Sequence, residues 1–337
     1  MKLGLILTGG SPATEVDLAV RADAAGFRSV YTCDFFSSNA LVRLAAIAGA
    51  TTSIKVGTGI ANTFTRSPMV LASGVQDIDA ISGGRMILGL GTGLERMNVE
   101  WYATDYGKPV TRVKELISLL RSVFAHDGIG FKWDGESWQI KIPAYFRGPG
   151  ARPDIPIWLA AVNRGMIKAA GTIADGMVGH PVHTQKWHRD VTLPLLAEAA
   201  EAAGRSPDAC PVYPHLITSI NDDRDAAVMN AKRQIGFSFS VEHYHSILDL
   251  HGLREVGVQC RSHLATYDFE AMAHCIPDEL VDEIAVACTP DEAADRLQQW
   301  ADITPEPMIF PASIGVSPDA QAQNMEEILK LSNKVAG

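Results

Sequence analysis

Cysteine is scarce in this chain. The 337 residues hold five, widely spaced at Cys33, Cys210, Cys260, Cys275 and Cys288, with no C-x-x-C. An odd, scattered set excludes a disulfide scaffold and a thiolate zinc site, and it fits a reducing compartment. Each thiol reads as a small buried hydrophobe. Positive charge is also in deficit: 29 Lys and Arg stand against 39 Asp and Glu, a formal net charge of −10. A broad basic face for nucleic acid or for an anionic membrane is therefore excluded. Long apolar runs are missing. Leu41 to Ala50 is broken by Arg43 and falls far short of a ~20-residue span. The opening MKLGLILTGG has too short an apolar part for a secretory signal and reads as a first strand. With the cysteine usage, it leads to the expectation of a cytoplasmic protein. No G-x-x-x-x-G-K-[ST] occurs, which excludes a P-loop, and no G-x-S-x-G, which disfavours a serine hydrolase of that type. Low-complexity linkers, short repeats and charge runs are absent too, so one domain over 1–337 is preferred to two.

What is present is an alternation of short apolar runs with helical patterns. Strands are expected at Lys2 to Leu7, Ser29 to Cys33, Ile54 to Ile60, Arg85 to Gly91, Ile157 to Ala161, Gly176 to Gly179, Val212 to Ile220 and Met308 to Phe310. Ser11-Pro12 and Ser67-Pro68 each combine a capping hydroxyl with a proline suited to a first helical turn. Eight strand–helix pairs predict an α/β fold, a (β/α)8 TIM barrel whose site is built from the loops after the strands. Three stretches do not fit a plain barrel. Leu94 to Lys108 reads as irregular, Phe131 to Ile142 as a hairpin around Asp134-Gly135, and 236–288 as an irregular insertion.

Chemistry is expected at the strand ends. Gly89-Leu90-Gly91-Thr92-Gly93 and Gly57-Thr58-Gly59 let backbone approach a ligand closely, or simply pack small residues in a barrel. The first lacks the G-x-G-x-x-G order and position of a dinucleotide fingerprint. Asp34 follows the second strand, where a carboxylate points into a barrel mouth or caps a loop. Asn163-Arg164-Gly165 begins a helix, which serves either as a phosphate cradle or as an ordinary cap. His180 and His183 follow the sixth strand as catalytic or structural histidines. His243-x-His245 looks like a metal pair, but on a helix i and i+2 point apart and no further ligand set accompanies it.

Several segments together resemble the bacterial luciferase-like family, in its branch that uses the deazaflavin coenzyme F420 and is typified by methylenetetrahydromethanopterin reductase. The matching pieces are Gly26 to Asp34, Val56 to Ile60, Arg66-Ser67-Pro68, Ser82 to Gly93, Pro156 to Ala161, Ala174-Asp175-Gly176 and Thr289 to Ala293. The resemblance implies a TIM barrel with the cofactor ring across the strand ends, and a bulge with a non-proline cis peptide at Gly59-Ile60. By match, Asp34, Gly59, Ile60, Asn62, Thr92, Gly93, Val162, Asn163, Gly165 and Met166 would hold the cofactor. No metal is expected. The sugar-phosphate dehydrogenases of this branch carry a histidine after the aspartate and a glutamate after the Thr-Gly pair. Here these are Phe35 and Leu94.

The expected function is F420-dependent hydride transfer to or from an unidentified small-molecule substrate. Asp34, His180, His183 and Glu95 are the acid/base candidates. One alternative is an FMN-dependent luciferase-like monooxygenase. Another is a flavin- or deazaflavin-binding protein without turnover. A homodimer, common in that family, is the expected assembly, with neither nucleic acid nor membrane as partner. Trp101, Tyr102, Phe237, Phe239, Tyr244 and Tyr267 are expected in core packing or over the mouth.

Overall fold

The computed structural model describes residues 1–7 and 10–335. Thr8 and Gly9, in the run read as the first strand, lie outside the described residues, as do Ala336 and Gly337. Eleven strands occur among the described residues: β1 (Gly4–Ile6), β2 (Ser29–Cys33), β3 (Lys55–Asn62), β4 (Met86–Gly91), β5 (Phe131–Asp134), β6 (Gln139–Ile142), β7 (Ile157–Ala161), β8 (Gly176–Gly179), β9 (Val212–Ile220), β10 (Ala285–Cys288) and β11 (Met308–Pro311). Parallel pairing runs β11-β1-β2-β3-β4-β7-β8-β9 and returns to β11, which closes an eight-stranded barrel. Helices lie between the strands, as the alternation predicts.

The caps behave as the sequence chemistry requires. Ser11 and Ser67 accept from the Thr14 and Val70 amides, each with proline at the first helical position. The barrel interior is plugged by large side chains alternating with outward-facing ones along each strand. Ile6, Tyr31, Ile87, Trp158, Val178 and Met308 form the inner cluster, and Trp158 stacks on Tyr213 at 3.7 Å. Gly57 and Gly176 make room for these rings. A Cβ at Gly57 would lie 2.7 Å from Tyr31, and one at Gly176 2.7 Å from Tyr213. Arg85 ties the base together by donating to the carbonyls of Ala48, Thr51, Ile54 and Ser82.

Phe131 to Ile142 forms the expected antiparallel hairpin. Two expectations are corrected. The peptides of the described residues are all trans, including Gly59-Ile60. The bulge itself is present, because β3 slips by one residue against both β2 and β4 around Gly59. The stretch 236–288 is not irregular. It contains the end of a helix Arg224–Phe239, four short helices (His245–Asp249, Arg254–Ser262, Phe269–His274 and Asp278–Ile284) and β10. β10 pairs with the far half of β9, beyond the segment that pairs with β8. Short helices with mixed polarity leave no long periodic signal, which is why the sequence reads as irregular there. Leu94 to Lys108 winds one π-helical turn, Met97–Trp101. Asn98 fastens it to the rim by donating to the carbonyls of Thr92 and Leu94. Among the described residues no helix is long and apolar enough to cross a membrane.

Candidate active site

A cavity of about 320 Å³ opens at the C-terminal ends of β2, β3, β4, β7 and β8. That is the end where barrel loops converge. Of the ten positions matched to cofactor binding, Asp34, Ile60, Asn62, Thr92, Gly93, Val162, Asn163 and Met166 line it. Gly59 does not. It lies inside the barrel, where a Cβ would sit 2.8 Å from the Cys33 sulfur. Gly165 also lies off the lining, in the exposed first turn of the helix Arg164–Ile173. Asn163 caps that helix by accepting from the Met166 amide, which leaves the Arg164 and Gly165 amides without an intrahelical acceptor.

The rim is shaped by backbone contact. At the bulge, Thr58 Oγ1 accepts from the Gly89 amide at 2.8 Å and donates to the Gly89 carbonyl at 2.7 Å. A Cβ at Gly89 would lie 2.1 Å from the Thr58 carbonyl oxygen, so only glycine fits. Gly91 is similar, with Ile60 2.5 Å from a Cβ position. Close strand contact excludes larger side chains at Gly89 and Gly91.

Asp34 is buried and saturated. Its carboxylate accepts from the Ala40 and Asn62 amides, each at 2.9 Å, and from both terminal nitrogens of Arg66. This hydrogen bonding, ahead of the opposing burial, raises the pKa of Arg66 further. A bidentate pair locked this way sets loop geometry. It joins the loop after β2 to the loop after β3.

The histidines separate in space. His180 lines the cavity and lies against Tyr244, ring centroids 4.0 Å apart. Its Nδ1 accepts from the Val182 amide at 3.4 Å, so the neutral ring carries its proton on Nε2. Burial, with His215 and His243 nearby, lowers its pKa to about 3. It is an uncharged hydrogen-bond donor at neutral pH. His183 is set behind the wall, 1% exposed, with Nδ1 accepting from the His180 amide. Its ring meets His188 at 5.1 Å. Glu95 is exposed and outside the lining. His243 lines the cavity, whereas His245 is buried and bonds the Phe239 carbonyl, so the pair diverges.

Sequence reading missed His215. It lies on β9, lines the cavity, has no Nε2 partner among the described residues, and is lowered by burial to about 4. The signal for it was one imidazole inside the apolar run Val212 to Ile220. Of the aromatics expected in the core or over the mouth, Tyr244 lines it and Phe239 is core. Phe237 packs on Phe269, and Tyr267 is exposed. Trp101 meets Phe35 and Phe36, and Tyr102 lines a second cavity.

Comparison with known proteins agrees with this architecture. A 5,10-methylenetetrahydromethanopterin reductase of Methanolobus tindarius is 28% identical over 339 residues, covering 99% of both chains. An uncharacterized Mycobacterium tuberculosis protein is 30% identical over 304 residues, 87% of this chain and 89% of that one. Among solved structures, the coenzyme F420-dependent tetrahydromethanopterin reductase of Methanopyrus kandleri superposes with a TM-score of 0.81 at 24% identity, covering 98% of this chain and 97% of that one. A monooxygenase from Streptomyces bottropensis gives 0.70 at 21% identity, covering 98% of each. At such identities the two structures share the barrel fold. The sequence profile described as luciferase-like monooxygenase matches residues 3–306, so the chain belongs to the luciferase-like monooxygenase family.

Proposed function

We propose that this chain is a coenzyme F420-dependent oxidoreductase that moves a hydride between the deazaflavin and an organic substrate. The observation that carries the reading is the neutral His180 ring lining a cavity of about 320 Å³ whose wall includes Gly91 and Gly93. Full-length similarity to reductases of the F420 branch supports it. The residues present fit such a group. The wall at Gly91 and Gly93 admits a planar ring, and Asn62 offers an amide with no side-chain partner among the described residues. The uncapped amides at Arg164 and Gly165 suit an anionic tail. When bound, the deazaflavin would supply the hydride chemistry.

The chain's own contribution is orientation and a polar hand. His180 donates a hydrogen bond to a substrate oxygen on which charge develops, and it does so without carrying charge itself. Asp34 holds the β2 and β3 loops through Arg66 and acts as a positioning residue. Glu95, exposed, and His183, behind the wall, have no contact with the cavity and are left out of the reaction. The chain is further proposed to act as a homodimer.

An FMN monooxygenase is the second reading, favoured by the monooxygenase of like fold. Exposure of the cofactor-loaded, reduced protein to air separates the two. The proposal expects the reduced deazaflavin to persist until an organic substrate is added. Rapid oxygen consumption with FMN, and no binding of the deazaflavin, would replace it with the second reading.

A further inference from the structure

A second cavity of about 350 Å³ lies beside the first and shares Asp34, Phe35 and Asn62 with it. Phe35 and Phe36 line this second cavity, and Trp101 packs against both from beyond the lining. Phe35, Phe36 and Trp101 are 49%, 67% and 46% exposed, yet they contact one another with centroids 4.4 to 6.2 Å apart. The rings come from separate elements: a tight turn closed by reciprocal bonds between Phe35 and Ser38, and the end of the π-helical turn. They are therefore preorganised, with large apolar faces left to solvent.

The floor is polar but holds no spare charge. Arg66 is spent on Asp34. Ser38 donates to the Cys33 carbonyl, Thr65 to the Asn62 carbonyl, and Asn39 accepts from the Val42 amide. Among the groups lining this cavity, one is both buried and without a partner. The Tyr102 hydroxyl is buried without a partner among the described residues, and its side chain lines this cavity. A buried hydroxyl with nothing to bond is costly unless something else satisfies it.

We infer that this cavity is a substrate subsite for a planar, uncharged ring with a hydrogen-bonding edge. The ring lies against the Phe35–Phe36–Trp101 rim, and its edge meets the Tyr102 hydroxyl. An anion would find no unpaired cation here, and a saturated ring would lose the stacking contact. Phe35 stands between the two cavities and sets how far the bound molecule extends toward the mouth. The inference rests on the oxidoreductase reading only in taking the mouth as the place of reaction.

The test uses three probes of matched shape: naphthamide, naphthoate and the fully saturated decalin carboxamide. Their binding to the whole protein is followed by calorimetry. Naphthamide is expected to bind at least about tenfold tighter than either of the others. Phe36→Ala, Trp101→Ala and Tyr102→Phe should each weaken it about three- to tenfold. Phe146→Ala, at an exposed ring elsewhere, should not. Equal binding of the three probes, tighter binding of naphthoate, or indifference to all three rim variants overturns the inference. So does a rim variant that dissociates a dimer without changing naphthamide affinity, since the rim would then be a subunit contact. A deazaflavin titration of the same samples is read separately. Failure there removes the cofactor reading and leaves the naphthamide result standing.

Discussion

The Thr58 hydroxyl stands in for a stretch of main chain at Gly89, accepting from its amide and donating to its carbonyl where the β3–β4 ladder is broken by the bulge. Both backbone groups are buried, so their only alternative to this side chain is an unpaired state. Thr58→Val, nearly isosteric, is expected to lower stability by about 1–3 kcal/mol. Thr58→Ser should restore most of it. Denaturant midpoints for the three proteins measure this, and equal loss in the serine variant would point to the methyl group instead.

Asp34 and Arg66 form a pair that is nearly closed to solvent. Removing the guanidinium leaves a buried carboxylate with only amide donors. Arg66→Met is expected to cost about 3–5 kcal/mol. Adding Asp34→Asn to that variant should recover part of the loss, because the stranded charge is gone. A double variant no better than the single would show that loop packing, and not charge, makes the difference.

His180 offers an N–H to the cavity without carrying charge. His180→Phe should lower turnover about 10²–10³-fold, as expected for removal of one donor to a developing oxyanion. Cofactor affinity should change little. The wild-type pH profile should show no loss of activity from this ring between neutral pH and about 5. A limb near the ordinary histidine value that vanishes in His180→Phe would contradict the assignment.

Burial lowers His180 and His188 to about 3 and His215 to about 4, all from an ordinary value of 6.5. In the unfolded chain these rings take up protons below the ordinary value, and in the folded chain they do so only well under it. Stability therefore falls as pH drops from about 6.5 toward 4, by up to about 1.4 kcal/mol per pH unit for each ring. His188 is fully buried, and neither of its nitrogens has a partner among the described residues. His188→Leu should lower the slope of stability against pH, measured near pH 5, by about one proton. An unchanged slope would show that this ring is protonated in the folded state.

Much of this architecture is legible in the sequence because its signals are local. Proline after serine, glycine after a helix, and short apolar runs at regular spacing place all eight barrel strands within a residue or two. The bulge at Gly59-Ile60 was expected from the family resemblance alone, and the peptide geometry within it depends on how β2 and β4 hold the strand. The site was less legible. Asp34 reads as an open carboxylate until Arg66, thirty-two positions later, is brought against it. His180 and His183 look equivalent in sequence, and only the turn between them puts one in the cavity and the other behind the wall. His215 and the Tyr102 hydroxyl depend wholly on tertiary contacts.

Parallel titration of the purified protein with coenzyme F420 and with FMN, followed by fluorescence and absorbance, tests the central claim most directly. The account predicts micromolar or tighter binding of the deazaflavin, with FMN bound at least about tenfold more weakly. Preferential binding of FMN, or binding of neither, would contradict it.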